Sequence, residues 1–471
     1  YENRPASVRV LGQQSQDLTL GLLSLGDAAI VGHSRRGNTL WVLQKSPDAY
    51  RDETILVTNS VVEKSDVPGG ALKTNVVVTK ETRSIRIAGP GFLTAVDLSK
   101  LPSLSVRGQA KFQFHDDYWG ASLDALWPDE GTLVWTEAGV SYWGPVFYDA
   151  MPGASGGAAM PALGGGINRS FWWGGTTTRT LIPFDVRDPV TPKPGTILIL
   201  NGANEPHPTA SQPLTEVNFW RSFSRAFVGG GRILVSHQNS WYHPGTGFWK
   251  PDPANPDNKY GQWSWSEEPR SEFARDLYVI TFPTPATPSL QPAIGFPGVL
   301  QGAALEGALL YSERSSVAIT QGAKPGLDVL AFDGDKVSLA AGFDLPETYP
   351  HPYAVLSDGS ILSGRASADG TQGSVELWRL TADARLTKAA SASLKIGPVE
   401  NLRVYGDLVL GDRSDALSFL RVGGDAGIQT VDSWARPCGI WYDLNSSDAT
   451  WSAGLWVARG YSGLWHVPIQ P

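Results

Sequence analysis

The chain has 471 residues, 41% of them hydrophobic, with 18 Trp, 52 Gly and 34 Pro; 38 basic against 46 acidic residues leave a net charge of −8. Strand-packing aromatics and turn formers at these levels exclude a disordered or low-complexity chain. Charges of both signs are mixed with no basic block beyond Arg35-Arg36, which excludes a nucleic-acid footprint; a single cysteine, Cys438, excludes a disulfide framework or a cysteine metal cluster; and no run approaches the ~18 apolar residues of a membrane helix.

In chain order, Tyr1 in place of Met points to a removed signal peptide or preceding domain, and so to a secreted or cell-surface protein. Ala6-Ser-Val-Arg-Val-Leu11 reads as a strand without a unit of its own, similar to Ser103-Leu-Ser-Val-Arg107. Leu40-Trp-Val-Leu is then the first, weak copy of a unit that recurs: a β-rich run, often an Asp or Thr, and a Pro-bearing turn. The clearest copies run Leu93 to Pro102, Leu181 to Pro192 and Leu277 to Pro288; weaker ones begin at Leu327, Val375, Leu417 and Gly463. Most copies follow a Gly-led apolar run, such as Gly131-Thr-Leu-Val-Trp or Gly231-Arg-Ile-Leu-Val, as a buried strand entered through a hairpin would read.

The eight starts are separated by 53, 88, 96, 50, 48, 42 and 46 residues, and five of these gaps suit a four-stranded blade. Almost no segment has a helical period. The expectation is an all-β fold, a single β-propeller domain over residues 1–471 with about eight four-stranded blades, or seven if the segment from Asp52 to Lys80 belongs to one enlarged first blade. The last unit stops at its third strand, Leu464-Trp-His-Val-Pro468, so the N-terminal strand is expected to complete the C-terminal blade and hide two sheet edges.

Asp185-Val-Arg-Asp-Pro189-Val-Thr-Pro192 and its relatives resemble the LVIVD-type repeats of bacterial and archaeal secreted β-propellers, closely in three units and loosely in the rest. The resemblance implies the architecture and an extracellular setting but not an activity, because propellers host enzymes, binders and structural modules alike. In such repeats a His or Asp precedes the innermost strand, and His351-Pro-Tyr-Ala-Val-Leu is similar to that placement.

The two long gaps place insertions at about 138–178 and 240–271, both between the second and third strands of adjacent units. In a propeller these loops open on the face that carries the blade-to-blade connections, and loops on a rigid scaffold are where binding resides. The first insertion carries Trp143, Trp172 and Trp173, and the second Trp241, His243, Trp249, Trp263 and Trp265. Exposed Trp and Tyr suit a sugar or protein surface; equally, a long ordered loop needs a small core of its own. The connecting loops of the same face add His115, Asp116, Trp119 and His207, which could bind a ligand or satisfy backbone groups at strand starts.

Other motifs carry little. Gly153-Ala-Ser155-Gly-Gly157 matches G-x-S-x-G but lies in a Gly-rich loop without the strand and helix that strain a nucleophile turn. The acidic turn Asp252 to Asn258 lacks calcium-loop spacing, and the Trp-docking repeat of quinone-dependent propellers is absent, so no cofactor is indicated and a metal is left open. The leading expectation is a non-catalytic binding or assembly module for a protein or polysaccharide partner, possessing no membrane span, as part of a larger surface assembly. The alternative is a polysaccharide hydrolase or lyase using Asp116, Asp117 and Glu205 with His115 or His207.

Overall fold

Short runs of Leu, Val, Ile and Trp, broken every few residues by Gly, Asp or Pro, favour strands joined by tight turns. The computed structural model is all-β among the described residues, apart from one 3-10 turn at Leu305–Gly307. It describes residues 6–12, 15–63, 73–115, 123–137, 140–149, 169–200, 217–243, 246–250, 262–267, 270–314, 324, 326–344, 352–367, 369–381, 385–405, 408–413, 416–423, 427–435, 455–458 and 464–467. Side chains are described for these except at 9–19, 55–77, 81, 137–177, 217–222, 239–250, 262–265, 267–273, 405, 412, 417, 432 and from 434 onward. No described helix is long and apolar enough to cross a membrane.

The chain opens with the antiparallel pair β1 (Ala6–Gly12) and β2 (Ser15–Gly26). Sheet I follows, from β3 (Ala29–Arg36) and β4 (Thr39–Lys45), through a hairpin of β5 (Ala49–Glu63) and β6 (Lys73–Ile87), to β7 (Pro90–Asp97) and β8 (Ser105–Gln113), in the order β3-β4-β7-β8. Sheet II has β9 (Leu123–Leu126), β10 (Thr132–Glu137), β11 (Val140–Asp149) and β12 (Arg169–Asp185), with the short β13 (Lys193–Pro194) and β14 (Leu198–Leu200) along β12. β15 (Val217–Phe223) leads into sheet III: β16 (Phe227–Gly229), β17 (Arg232–His243), the hairpin β18 (Thr246–Lys250) and β19 (Gln262–Glu267), β20 (Arg270–Thr284), β21 (Thr287–Leu290) and β22 (Ile294–Gly295).

Three regular antiparallel sheets come next. Sheet IV is β23 (Val299–Ala304), β24 (Leu309–Glu313), β25 (Gly326–Phe332) and β26 (Val337–Asp344). Sheet V is β27 (Tyr353–Val355), β28 (Ile361–Ala366), β29 (Gly373–Leu380) and β30 (Leu386–Leu394). Sheet VI is β31 (Asn401–Tyr405), β32 (Leu408–Arg413), β33 (Ala416–Val422) and β34 (Ile428–Ala435). Finally β35 (Leu455–Ala458) and β36 (Leu464–Val467) join the N-terminal pair in a terminal sheet ordered β2-β1-β36-β35, where β1 runs parallel to β36 with Val8 opposite Leu464.

Each sheet packs its faces against its neighbours in sequence. Val31, Trp41, Leu43 and Leu93 of sheet I meet Leu123, Leu133, Trp135 and Phe184 of sheet II. Val134 and Leu181 on the other face of sheet II meet Ile233, Val235 and Ile280 of sheet III. Similar clusters join III to IV, IV to V and V to VI, and Ala6 and Val8 of the terminal sheet pack on Ile30, Leu40 and Val96 of sheet I. The fit is close: a Cβ on Gly32 of β3 would run into the Trp135 ring.

The repeat acquires a local reason. At the ends of third strands, Asp97 accepts from the Ser99 N–H, Asp185 from the Arg187 N–H, and in sheet IV Asp333 accepts from the Asp335 and Lys336 N–H groups. The Asp therefore caps the turn to the outer strand, as a short acceptor side chain does best. The Ser99 N–H and then the Arg107 guanidinium lower the Asp97 carboxyl to about 2. One copy is reassigned: Leu40 lies in β4, a second strand paired with β7, so the Leu40 and Leu93 copies belong to one sheet and not to two units.

Trp135 is fully buried between sheets I and II, so Trp135→Ala is expected to lower unfolding stability in urea by about 3–5 kcal/mol. A loss below about 1 kcal/mol would mean that this ring does not fill the space between the sheets.

Candidate functional site

Three successive sheets each extend an arm between their second and third strands. In sheet I it is β5–β6, fifteen residues paired with fifteen, from Ala49↔Ile87 to Glu63↔Lys73. In sheet II β11 pairs with the first part of β12, from Val140↔Thr178 to Asp149↔Arg169. In sheet III β17 and β20 continue together to His243↔Arg270, with β18–β19 beyond them. Where they are described, the insertions, read from sequence as loops, are paired strands.

The arms of sheets II and III are joined. β15, from the connection between the two sheets, runs parallel to β12 with Gly175 opposite Trp220 and Thr176 opposite Arg221. Its other edge is antiparallel to β17, from Val217↔Tyr242 to Phe223↔His237. The result is one continuous sheet in the order β11-β12-β15-β17-β20, part of a twelve-stranded sheet that runs from sheet II into sheet III.

Most of the aromatic candidates lie in the strands of this composite. Trp143 is opposite Gly175, Trp172 opposite Val146 and Trp173 opposite Pro145. Trp241 stands between Asn218 of β15 and Glu272 of β20, and His243 is opposite Arg270. Trp249 pairs with Trp263, and Trp265 with Gly247, in β18–β19. The side chains of these residues lie outside the described set, as do Asp116, Asp117, Trp119, Glu205, His207 and His351 altogether. His115 is described, half-buried just after β8, and is not a residue of the composite strands.

The root of the composite is described to its side chains. Phe223, His237 and Tyr278, from β15, β17 and β20, form a ring cluster with centroids 4.5 Å apart for Phe223–His237 and 6.0 Å for each ring with Tyr278. Beside it, buried Arg179 of β12 donates to the Ser224 carbonyl at 2.5 Å. The Ser224 hydroxyl in turn accepts from the Ser236 N–H at 2.9 Å, and Arg275 donates to Gln238 at 2.8 Å. Strands of both arms and the connecting strand are thereby tied together below the aromatic insertions.

The arm of sheet I has its own anchor. Asp48 accepts from Lys45, from Arg86 Nε at 2.7 Å and from the Gly89 N–H at 3.0 Å. Burial alone would raise its carboxyl, but the hydrogen bonds from Arg86, Lys45 and Gly89 outweigh that effect and hold it well below the usual carboxylate range. Beyond this anchor the described side chains of both strands are mostly exposed, with Tyr50 at 66% and Val78 at 56%. The sequence reading passes over this arm, although Ile55-Leu-Val-Thr and Val76-Val-Val-Thr flank Pro68-Gly-Gly70, a hairpin signal.

The arrangement presents strand edges and a composite sheet; among the described residues no group of three His, Cys, Asp or Glu is placed to hold a metal ion. No family model and no curated protein matches the chain. Among solved structures, it is similar to a Bacteroides uniformis protein provisionally assigned as a 6-phosphogluconolactonase, at 9% identity over 73% of this chain and 92% of that one, with a TM-score of 0.30, a level that carries no argument about activity.

Asp48→Asn is expected to loosen the root of the β5–β6 arm by about 1–3 kcal/mol, seen as faster hydrogen exchange at 49–54 and 82–87. Because the folded carboxyl titrates below an unfolded aspartate, its contribution is in place above about pH 4 and is lost as pH falls toward the folded value. The wild-type arm should therefore open on acidification while the variant shows a flatter response. Equal acid dependence in the two proteins would remove Asp48 from this role.

Proposed function

We propose that the chain is a seven-bladed β-propeller, secreted or displayed at the cell surface, that acts as a non-catalytic binding and assembly module for a protein or polysaccharide partner through its inserted arms. The count takes the five four-stranded sheets together with the two units joined in the twelve-stranded one. Supporting the ring are the serial packing from the terminal sheet through sheet VI and the pairing of β1 with β36, which hides edges that would otherwise invite aggregation. The resemblance of the repeats to LVIVD-type propellers, and the extracellular setting it implies, belong to the same reading.

The observation that carries the binding role is the composite sheet β11-β12-β15-β17-β20. A propeller needs no strand pairing between blades, since its blades pack by their faces. Joining two neighbouring arms through a third strand makes one platform from the two insertions richest in Trp, Tyr and Gly.

The test is retention of purified surface proteins and a polysaccharide panel from the producing organism on the immobilised chain. Trp241→Ala, Trp249→Ala and Trp263→Ala together are expected to weaken retention at least tenfold, since hot-spot aromatics are each worth about 2 kcal/mol or more. Retention of nothing, or retention indifferent to the triple variant, would defeat the reading.

A further inference from the structure

We infer that the terminal sheet is a latch that opens between β1 and β36, with the hairpin β1–β2 staying on sheet I and the pair β35–β36 coming away. The inference goes beyond the binding role and uses none of the arm residues. The joint itself is thin. β1 pairs with β2 at seven positions, from Ala6↔Gly26 to Gly12↔Ser15, and β35 with β36 at four, from Leu455↔Val467 to Ala458↔Leu464. Between β1 and β36 a single position is paired, Val8↔Leu464, and it is parallel, the slightly weaker arrangement per residue.

The two sides of the joint are held differently. The N-terminal hairpin is built into sheet I: Ala6 and Val8, both buried, pack with Leu23 and Leu25 against Leu40 and Val96. Gln44 of β4 donates to the Leu25 carbonyl at 3.1 Å and to the Ala28 carbonyl at 2.9 Å, which fixes the chain where it leaves the hairpin. A Cβ on Gly21 of β2 would run into the Pro102 carbonyl, so β2 lies directly against the turn between β7 and β8. β35 and β36 are strands of four residues each, and in the order β2-β1-β36-β35 the one strand beyond their own pair is β1. β35 also lies near β3 of sheet I without pairing to it.

A two-stranded hairpin by itself is marginal in water, so β35–β36 depends on the contact with β1, whereas β1–β2 keeps its core and its Gln44 ties when that contact is lost. Parting at the single paired position therefore costs less than separating either hairpin or unpacking sheets I to VI, and it bares the β1 edge. Ordinary fraying of chain ends would loosen β1 and β36 alike; a latch loosens the β36 side alone.

The test is native-state hydrogen exchange on the full chain. The most protected amide among 464–467 is expected to exchange at least about tenfold faster than the most protected among 6–8 and 21–26. Val8→Cys with Leu464→Cys, in a Cys438→Ser background, then joins the two strands, and the reduced form of the same protein controls for any effect of the substitutions on the fold. Oxidation is expected to slow exchange at 464–467 at least about tenfold more than at 327–332 of sheet IV, because the cross-link blocks the local opening before it affects global unfolding. Equal protection of the two sets, as fraying at both ends or concerted unfolding gives, would overturn the inference. So would failure of the cysteine pair to oxidise, or oxidation that leaves exchange at 464–467 unchanged. The Trp241, Trp249 and Trp263 substitutions leave these strands intact, so failure of the composite platform and failure of the latch are separately visible.

Discussion

The structure depends on strands that are buried on both faces. Every residue of β4, from Thr39 to Lys45, is buried, and Leu133, Val134 and Trp135 are successive buried positions of β10. A strand apolar on both sides is stable only between two other layers, so each sheet requires a sheet before it and a sheet after it. Serial packing follows, and with it the close approach that leaves Gly32 no room for a Cβ beside Trp135. Some polar groups caught in this packing are answered locally: Gln44 donates to the Leu25 and Ala28 carbonyls, and Gln109 donates to Thr94.

Lys45 links that core to the surface. It ends a fully buried strand, and its ammonium is met by Asp48, which also receives Arg86 and the Gly89 N–H. The ion cluster that keeps a buried cation tolerable is therefore the same one that gathers the two ends of the β5–β6 arm. At sheets II and III the device differs. There the arms are held by backbone pairing to β15, with Phe223, His237 and Tyr278 clustered across three strands at the root. At the same topological position, one arm is, among the described residues, paired only within itself, while two are joined into a platform.

Much of the fold is legible in the residues. The run at Leu93, Leu181 or Leu277 marks a third strand because apolar residues of high β-propensity must be buried there, and the Asp after the first two marks a turn because its carboxylate accepts from the backbone two residues on. The length of the gaps locates the insertions at 138–178 and 240–271. Leu40-Trp-Val-Leu misleads because a second strand buried on both faces has the same composition as a third strand. The β5–β6 arm escapes notice because its described residues at 49–54 and 82–85 are exposed on both sides and so follow no inward-outward alternation.

What the sequence by itself determined is the local part: an all-β chain, the positions of most third strands, the capped turns and two of the three places where the chain departs from its repeat. These depend on side-chain type and on neighbours a few residues away. Only the tertiary structure decided that Leu40 and Leu93 share a sheet, that Lys45 and Arg86 meet at Asp48, and that β15 lies between β12 and β17. The physical reason is that a strand edge offers the same row of donors and acceptors to any other strand, so sequence alone does not name its partner; the packing of whole sheets, which brings particular edges together, does.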